Sequence, residues 1–214
     1  MSNLPPIVLN ENTPYVNAML LQAIKGIQEV LGENGLNAVL RSSGLERFIG
    51  NPPPNNLDSG VLAREYAMLN QAIETFTGRA GKGMLQRIGR ASFRWAINEQ
   101  AAVMGLAGIA LKVLPYNLRK RAILLAIRKG LTDTVSYARI EVKEEGGVLI
   151  YTDHTCVVCH TRHTEKPTCH VYLGSLGEAM AFATGRDFRE FDIVETHCKA
   201  SGDSFCRFEI RERA

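Results

Sequence analysis

The chain has 214 residues, 45% of them hydrophobic and 22% charged, with a formal net charge of +3. That length allows one sizeable core, and the composition is that of an ordinary globular protein, which excludes disorder and collagen-like repeats. The charge is too small to argue for nucleic acid, and the basic series Arg79, Lys82, Arg87, Arg90 and Arg94 has no interleaved aromatic platform, so it reads as a solvated helix face.

Residues 1–12 are polar and proline-bearing, and no secretory signal is read from them. Thr13-Pro14 reads as a cap with proline at the first helical position. Val16, Met19, Leu20, Ala23, Ile24, Ile27 and Leu31 then keep helical spacing up to Gly32. A short second helix fits Leu36 to Arg41, and "GNPPPNNLDSG" (50–60) is a loop with too little chain before it to be a domain boundary. Helical pattern resumes over 61–76 through Leu62, Tyr66, Leu69, Ile73 and Phe76. "GRAGKG" (78–83) has neither the spacing nor the hydroxyl of a phosphate-binding loop and reads as a turn between helices.

A long helical segment follows from about Met84 to Val113, with Trp95 expected in the core between two helices, and Pro115 breaks it. Its apolar run Ala101 to Leu111 is far shorter than the roughly 20 residues a bilayer crossing needs. The expectation is a cytoplasmic protein with no membrane span, whose five cysteines are thiols or metal ligands rather than disulfides. Leu118 to Leu131 makes the next helix.

After Thr132 the pattern changes. Residues 135–145 alternate, Gly146-Gly147 turns the chain, and "VLIYTD" (148–153) returns as a strand. Residues 171–185 read as a helix with a glycine stop. Strands over 190–198 and 204–212 are joined by the turn residues Ser201-Gly202-Asp203. The sum is an α+β fold in one domain, 1–214: a helical part over 1–134 packed on a C-terminal antiparallel sheet, 135–214, with a crossing helix.

The segment "HTCVVCHTRHTEKPTCH" (154–170) carries three of the five cysteines and four of the five histidines. Cys156-Val-Val-Cys159-His160 has the spacing of covalent haem attachment, of a dithiol redox pair, or of part of a metal site. Haem attachment belongs outside the bacterial cytoplasm, and no export signal is read. A redox pair would open a helix after a strand, whereas a polar loop closed by Pro167 follows Cys159. Metal binding or a plain structural role is left. Asp153-His154 has no identifiable nucleophile or orienting partner and reads as exposed loop. His160, His163, His170 and His197 are spare imidazoles.

Cys198 and Cys206 flank the Ser-Gly-Asp turn, and pairing about Gly202 sets them almost opposite each other. Cys206 shares a strand face with Phe208 and Ile210, so its sulfur points inward. Two such thiols with one ligand from elsewhere suit a tetrahedral zinc corner, and two small buried hydrophobes suit the pattern equally. Glu195 stands three residues before Cys198, on the opposite face of a regular strand. Joint ligation therefore requires a bulge.

The run "CHVYLGSLGEAMAFATGRDFREFDIVETHCKASGDSFCRFEI" (169–210) resembles the 4-vinyl reductase domain family: a cysteine before a Gly-bearing helix, Glu-x-x-Cys, a Gly-Asp turn and Cys-x-Phe. The resemblance extends upstream through "MLQRIGRASFRW" (84–95). It implies a ligand-binding α+β fold shared with sensor domains of phenol-responsive regulators and with TRAPP subunits of Golgi vesicle tethering. It also implies a structural zinc held, position by position, by Cys169, Glu195, Cys198 and Cys206, with Cys159 as a substitute for Cys169. It carries no role for the Cys156/Cys159 pair. A homodimer, and an unknown protein partner, follow by analogy.

The reductase chemistry in the family name has no direct support in the sequence, which shows neither a dinucleotide fingerprint nor an independent cysteine set for an iron–sulfur cluster. The reading is a non-catalytic sensor or carrier domain for a small hydrophobic, aromatic or tetrapyrrole ligand, held between helical layer and sheet. Two alternatives stand beside it. One is a tetrapyrrole 4-vinyl reductase component fed by an external electron donor; the other is a structural or tethering subunit with an acyl-filled pocket.

Overall fold

The computed structural model describes residues 8–100 and 111–213, so most of the apolar run from Ala101 lies outside the described residues. Pro14 opens a strand rather than a helix. Pro14–Tyr15 (β1) pairs antiparallel with Val61–Leu62 (β2), a position where a residue without an N–H is tolerated. Helix α1 (Asn17–Ser42) starts only after it, with no side-chain cap. The two helices read from the sequence are joined across Gly32, whose φ of +71° kinks the run. In α2 (Ala63–Thr77) the Glu65 carboxylate accepts the Leu62 N–H at 2.9 Å, which satisfies an N-terminal donor. Helix α3 spans Gly81–Gln100 and α4 spans Tyr116–Thr134.

The sheet begins later than the alternation suggests. Val135 still donates to the Leu131 carbonyl of α4, and β3 is Ile140–Glu145. Strand β4 is Val148–Asp153, β5 is Phe191–His197 and β6 is Cys206–Glu212. They form an antiparallel sheet in the order β3-β4-β6-β5. Helix α5 (His170–Thr184) stops at Gly185 in the left-handed conformation (φ +76°) and crosses between sheet and helical layer. The α+β architecture with its crossing helix is therefore as expected.

Glycines set how close α5 comes to α3. A Cβ on Gly174 would lie 2.0 Å from the Gln86 carbonyl oxygen, and one on Gly89 would lie 2.1 Å from that of Val171, so the helices cross backbone to backbone. Two hydrophobic cores result. One gathers Leu20, Ile27, Leu40, Leu69 and Ile73 of α1 and α2; the other lies between α5, α4 and the sheet. Trp95 belongs to neither. It is half-buried, its indole N–H donates to Glu29 at 3.0 Å and Lys25 sits over its ring, because a surface carboxylate satisfies an N–H the core would leave unpaired. The basic face is solvated as read, with Arg94 paired to Glu29 and Glu178. Among the described residues no helix is long and apolar enough to cross a membrane.

Candidate thiol centre and the groove beside it

All five cysteines are free thiols, at most 3% exposed, and they converge on one point. Cys156 and Cys159 come from the loop after β4, which doubles back through Thr161 at φ +64°. Cys169 precedes the first residue of α5, Cys198 directly follows β5, and Cys206 opens β6 opposite Asp153. The sulfur separations are 3.6 Å for Cys156–Cys169, 3.5 Å for Cys159–Cys206, and 3.8 Å for both Cys169–Cys198 and Cys169–Cys206.

The bulge that joint ligation requires is present. Glu195 pairs with Phe208 and His197 with Arg207, so Thr196 is an extra residue in β5 and the parity between Glu195 and Cys198 is reset. Glu195 turns inward at 9% exposure. Its Oε2 accepts the Cys169 N–H at 2.8 Å, and its Oε1 is buried without a partner among the described residues. Burial, with the Cys198 sulfur alongside, pushes this carboxyl up to about 8.

The thiols cannot all ionise together. Hydrogen bonds from Cys156, Cys169, Cys198 and Cys206 pull the Cys159 thiol far down, while burial pushes Cys156 up to about 12 and holds Cys169 high. Against a hydrogen bond with Cys159 that raises it, the Cys198 thiol is drawn down as well, to about 6, by those with Cys169 and Cys206, so the five thiols divide into two lowered and three raised. Two four-donor sets have their ligand atoms within 4.8 Å of one another: Cys156, Cys159, Cys169 and Cys206, and Cys169, Glu195, Cys198 and Cys206. From the sequence, Cys156 and Cys159 are secondary metal-ligand candidates, Cys159 as a substitute for Cys169, and the resemblance carries no role for the pair. The loop that returns them to the hairpin has no signal beyond the Cys-x-x-Cys spacing itself.

Asp153 is not in an exposed loop. It is 3% exposed, and its carboxylate accepts the Thr155 N–H and the Tyr172 hydroxyl, both at 2.8 Å, with burial raising its pKa. The spare imidazoles stay apart from the sulfurs. His160 meets the Asn10 carbonyl, and His197 stacks near Phe205.

Glu195 also lines a surface groove of about 1080 Å³ over α5. Its apolar floor includes Leu173, Gly174, Phe191 and Ile193. Lys82 and Arg90 stand on its α3 wall, and the Arg90 guanidinium lies 3.9 Å from the Phe188 ring centre. A second cavity, of about 100 Å³, is walled by Tyr15, Met19, Tyr66, Phe93, Val158 and Tyr172.

The sequence matches no family model, and no curated protein matches it. Solved structures of similar fold are H-NOX domains. One is an oxygen-binding H-NOX domain related to soluble guanylate cyclases, in its oxygen complex: TM-score 0.57, 15% identity, covering 91% of this chain and 92% of that one. Another comes from work on haem distortion in the H-NOX family: TM-score 0.58, 15% identity, covering 92% and 95%. A variant of the T. tengcongensis H-NOX has TM-score 0.54 at 15% identity, covering 91% and 94%.

Two expectations are corrected by these findings. The 4-vinyl reductase kinship rested on a few cysteines and glycines in one C-terminal run, whereas the structures that share the fold over nine-tenths of the chain are H-NOX domains. The structural zinc is corrected with it, since the cofactor named for those domains is haem. The donors also do not single out the closed set Cys169, Glu195, Cys198 and Cys206, because Cys156 and Cys159 share the same pocket.

Among the described residues, the second cavity does not suit haem. At about 100 Å³ it is well below the roughly 300 Å³ at which ligand pockets begin, and none of the five histidines lines it. Its tyrosines could ligate iron only as phenolates, and burial raises Tyr15, Tyr66 and Tyr172 well above the ordinary phenol range.

Proposed function

We propose that this chain is a small-molecule-binding domain of sensor or carrier type, which holds an anionic ligand with a flat apolar body in the groove over α5. One observation carries the reading. Lys82 and Arg90, which form no salt bridge among the described residues although Glu178 and Asp187 act on Arg90 at longer range, face an apolar floor in a concavity of about 1080 Å³, a size suited to a cofactor-class molecule. The cations would take the carboxylates or phosphates of the ligand, with the Arg90 plane as a stacking surface. Leu173, Phe191 and Ile193 would take its body. A carboxylate-bearing tetrapyrrole belongs to this class, and the H-NOX-like fold supports a ligand-binding role at the level of fold alone.

The test is a fluorescence titration of the full chain with protoporphyrin IX. The expected result is saturable binding, weakened about tenfold in a Lys82→Ala, Arg90→Ala double variant. Binding that never saturates, or that the double variant leaves unchanged, would sink the groove as its site.

A further inference from the structure

The two four-donor sets at the thiol centre have Cys169 and Cys206 in common. We propose that the centre is binuclear: two thiophilic metal ions share the Cys169 and Cys206 thiolates as bridges. Cys156 and Cys159 complete one tetrahedron; Cys198 and Glu195 complete the other. The inference stands apart from the groove reading.

Geometry carries it first. A tetrahedral ion with metal–sulfur bonds of about 2.3 Å sets its thiolates about 3.8 Å apart. Four of the sulfur separations run from 3.5 to 3.8 Å, among them the edge that both tetrahedra would share, Cys169–Cys206 at 3.8 Å, and all donor atoms of each set lie within 4.8 Å of one another. A single ion would use four of the six donors and leave two side chains buried with nothing to hold. Two ions sharing an edge use all six. A thiolate sulfur has lone pairs enough to bind two ions at once.

The second observation is the orphaned oxygen. Glu195 Oε1 is buried and accepts no hydrogen bond among the described residues, although its sister oxygen is held by the Cys169 N–H. A buried acceptor left unpaired is costly, so its inward aim asks for a cation. The bulge at Thr196 supplies that aim.

Charge does not oppose it. On binding, each thiol gives its proton to solvent, and five thiolates with one carboxylate carry six negative charges. Two divalent ions leave a net charge of −2, the same as one ion on four ionised donors. The Lys199 N–H, 3.4 Å from Cys206 Sγ, would support one of the bridging sulfurs from outside the cluster.

The experiment titrates the reduced full-length chain with cadmium(II) alone, followed by native mass spectrometry and by the ultraviolet thiolate-to-metal charge-transfer band. The expected result is two ions per chain, with the band rising to an endpoint at two equivalents. A Cys156→Ser, Cys159→Ser variant and a Glu195→Gln, Cys198→Ser variant should each hold one. Cadmium NMR of the unsubstituted protein guards against a variant that fails to fold: it should show two mutually coupled resonances, one for an all-sulfur site and one for a mixed sulfur–oxygen site. Saturation at one ion, a single resonance, or no uptake would each overturn the binuclear assignment.

Discussion

The two cores of this protein use the same aliphatic residues and differ in what they enclose. Around α1 and α2, Leu20, Ile27, Leu40, Leu69 and Ile73 pack with no thiol among them. Between α5 and the sheet, Tyr151 and Phe208 are fully buried beside all five cysteines. The first core needs only the burial of apolar area to be stable. The second gathers five sulfurs to one point and tucks a carboxylate in beside them. Packing explains a buried cysteine; it does not explain five at one point.

Truncation is the strongest way to sharpen that contrast. Ile27, fully buried in the helical core, should lose about 2–5 kcal/mol of stability on change to Ala, from lost transfer energy and the cavity left behind. The loss should be read by denaturant melting with and without cadmium(II). The same ΔΔG in both conditions is expected, because the ions act in the other core. A loss that appears only without metal would break the distinction between the two.

The α3–α5 crossing joins the cores, and Gly174→Ala tests it. The added methyl would fall 2.0 Å from the Gln86 carbonyl oxygen, so backbone must shift, at a cost of about 1–3 kcal/mol. Gly177, whose Cβ would meet Ile193 at an ordinary 3.7 Å, should tolerate Ala far better. Equal costs at the two glycines would show that the helices do not rely on this close approach.

The buried polar pair beside the thiols comes next. Tyr172→Phe removes the hydroxyl donor to Asp153 Oδ2 and should cost about 1–2 kcal/mol, since the Thr155 contacts to Oδ1 remain. Chemical denaturation of both proteins at neutral pH reads the difference. No change would mean that the carboxylate does not depend on Tyr172.

How much of this could be read from the chain divides along the same line. Local pattern was enough for β4, whose span matches its sequence reading, and for the inward face of Cys206 with Phe208 and Ile210. Strand parity alone showed that Glu195 and Cys198 could meet only across a bulge, and the bulge is there at Thr196. What escaped depends on contacts distant in sequence. Cys156 and Cys159 reach Cys169 and Cys206 across 13 and 47 residues, a closure no periodicity encodes. The groove draws Lys82 from α3, Leu173 from α5 and Ile193 from β5, and no one segment carries its signature. Trp95 misled for a simpler reason: helical spacing does not reveal that Glu29 waits on the surface for its N–H.

The smallest effect is expected at the C-terminal end of β6, on the rim of the sheet core. Glu212 at the end of β6 accepts the Tyr116 hydroxyl at 2.7 Å and pairs with Lys120 at 2.6 Å and Arg186 at 2.5 Å. The Lys120 ammonium, the Tyr116 hydroxyl and Arg186 hold its carboxyl below the ordinary range against a modest burial penalty. A carboxylate with a depressed folded-state pKa contributes stability above its unfolded value, and that contribution is lost as pH falls through the folded one. Because the group is partly exposed, Glu212→Gln should cost only about 0.2–1 kcal/mol at neutral pH, less at high salt. The difference between the two proteins should shrink as the pH falls below the ordinary glutamate range, where the native carboxyl itself takes up a proton. Denaturation curves at several pH values would measure it. A gap that persists undiminished in acid would show that the clamp works by packing and neutral hydrogen bonds rather than by charge.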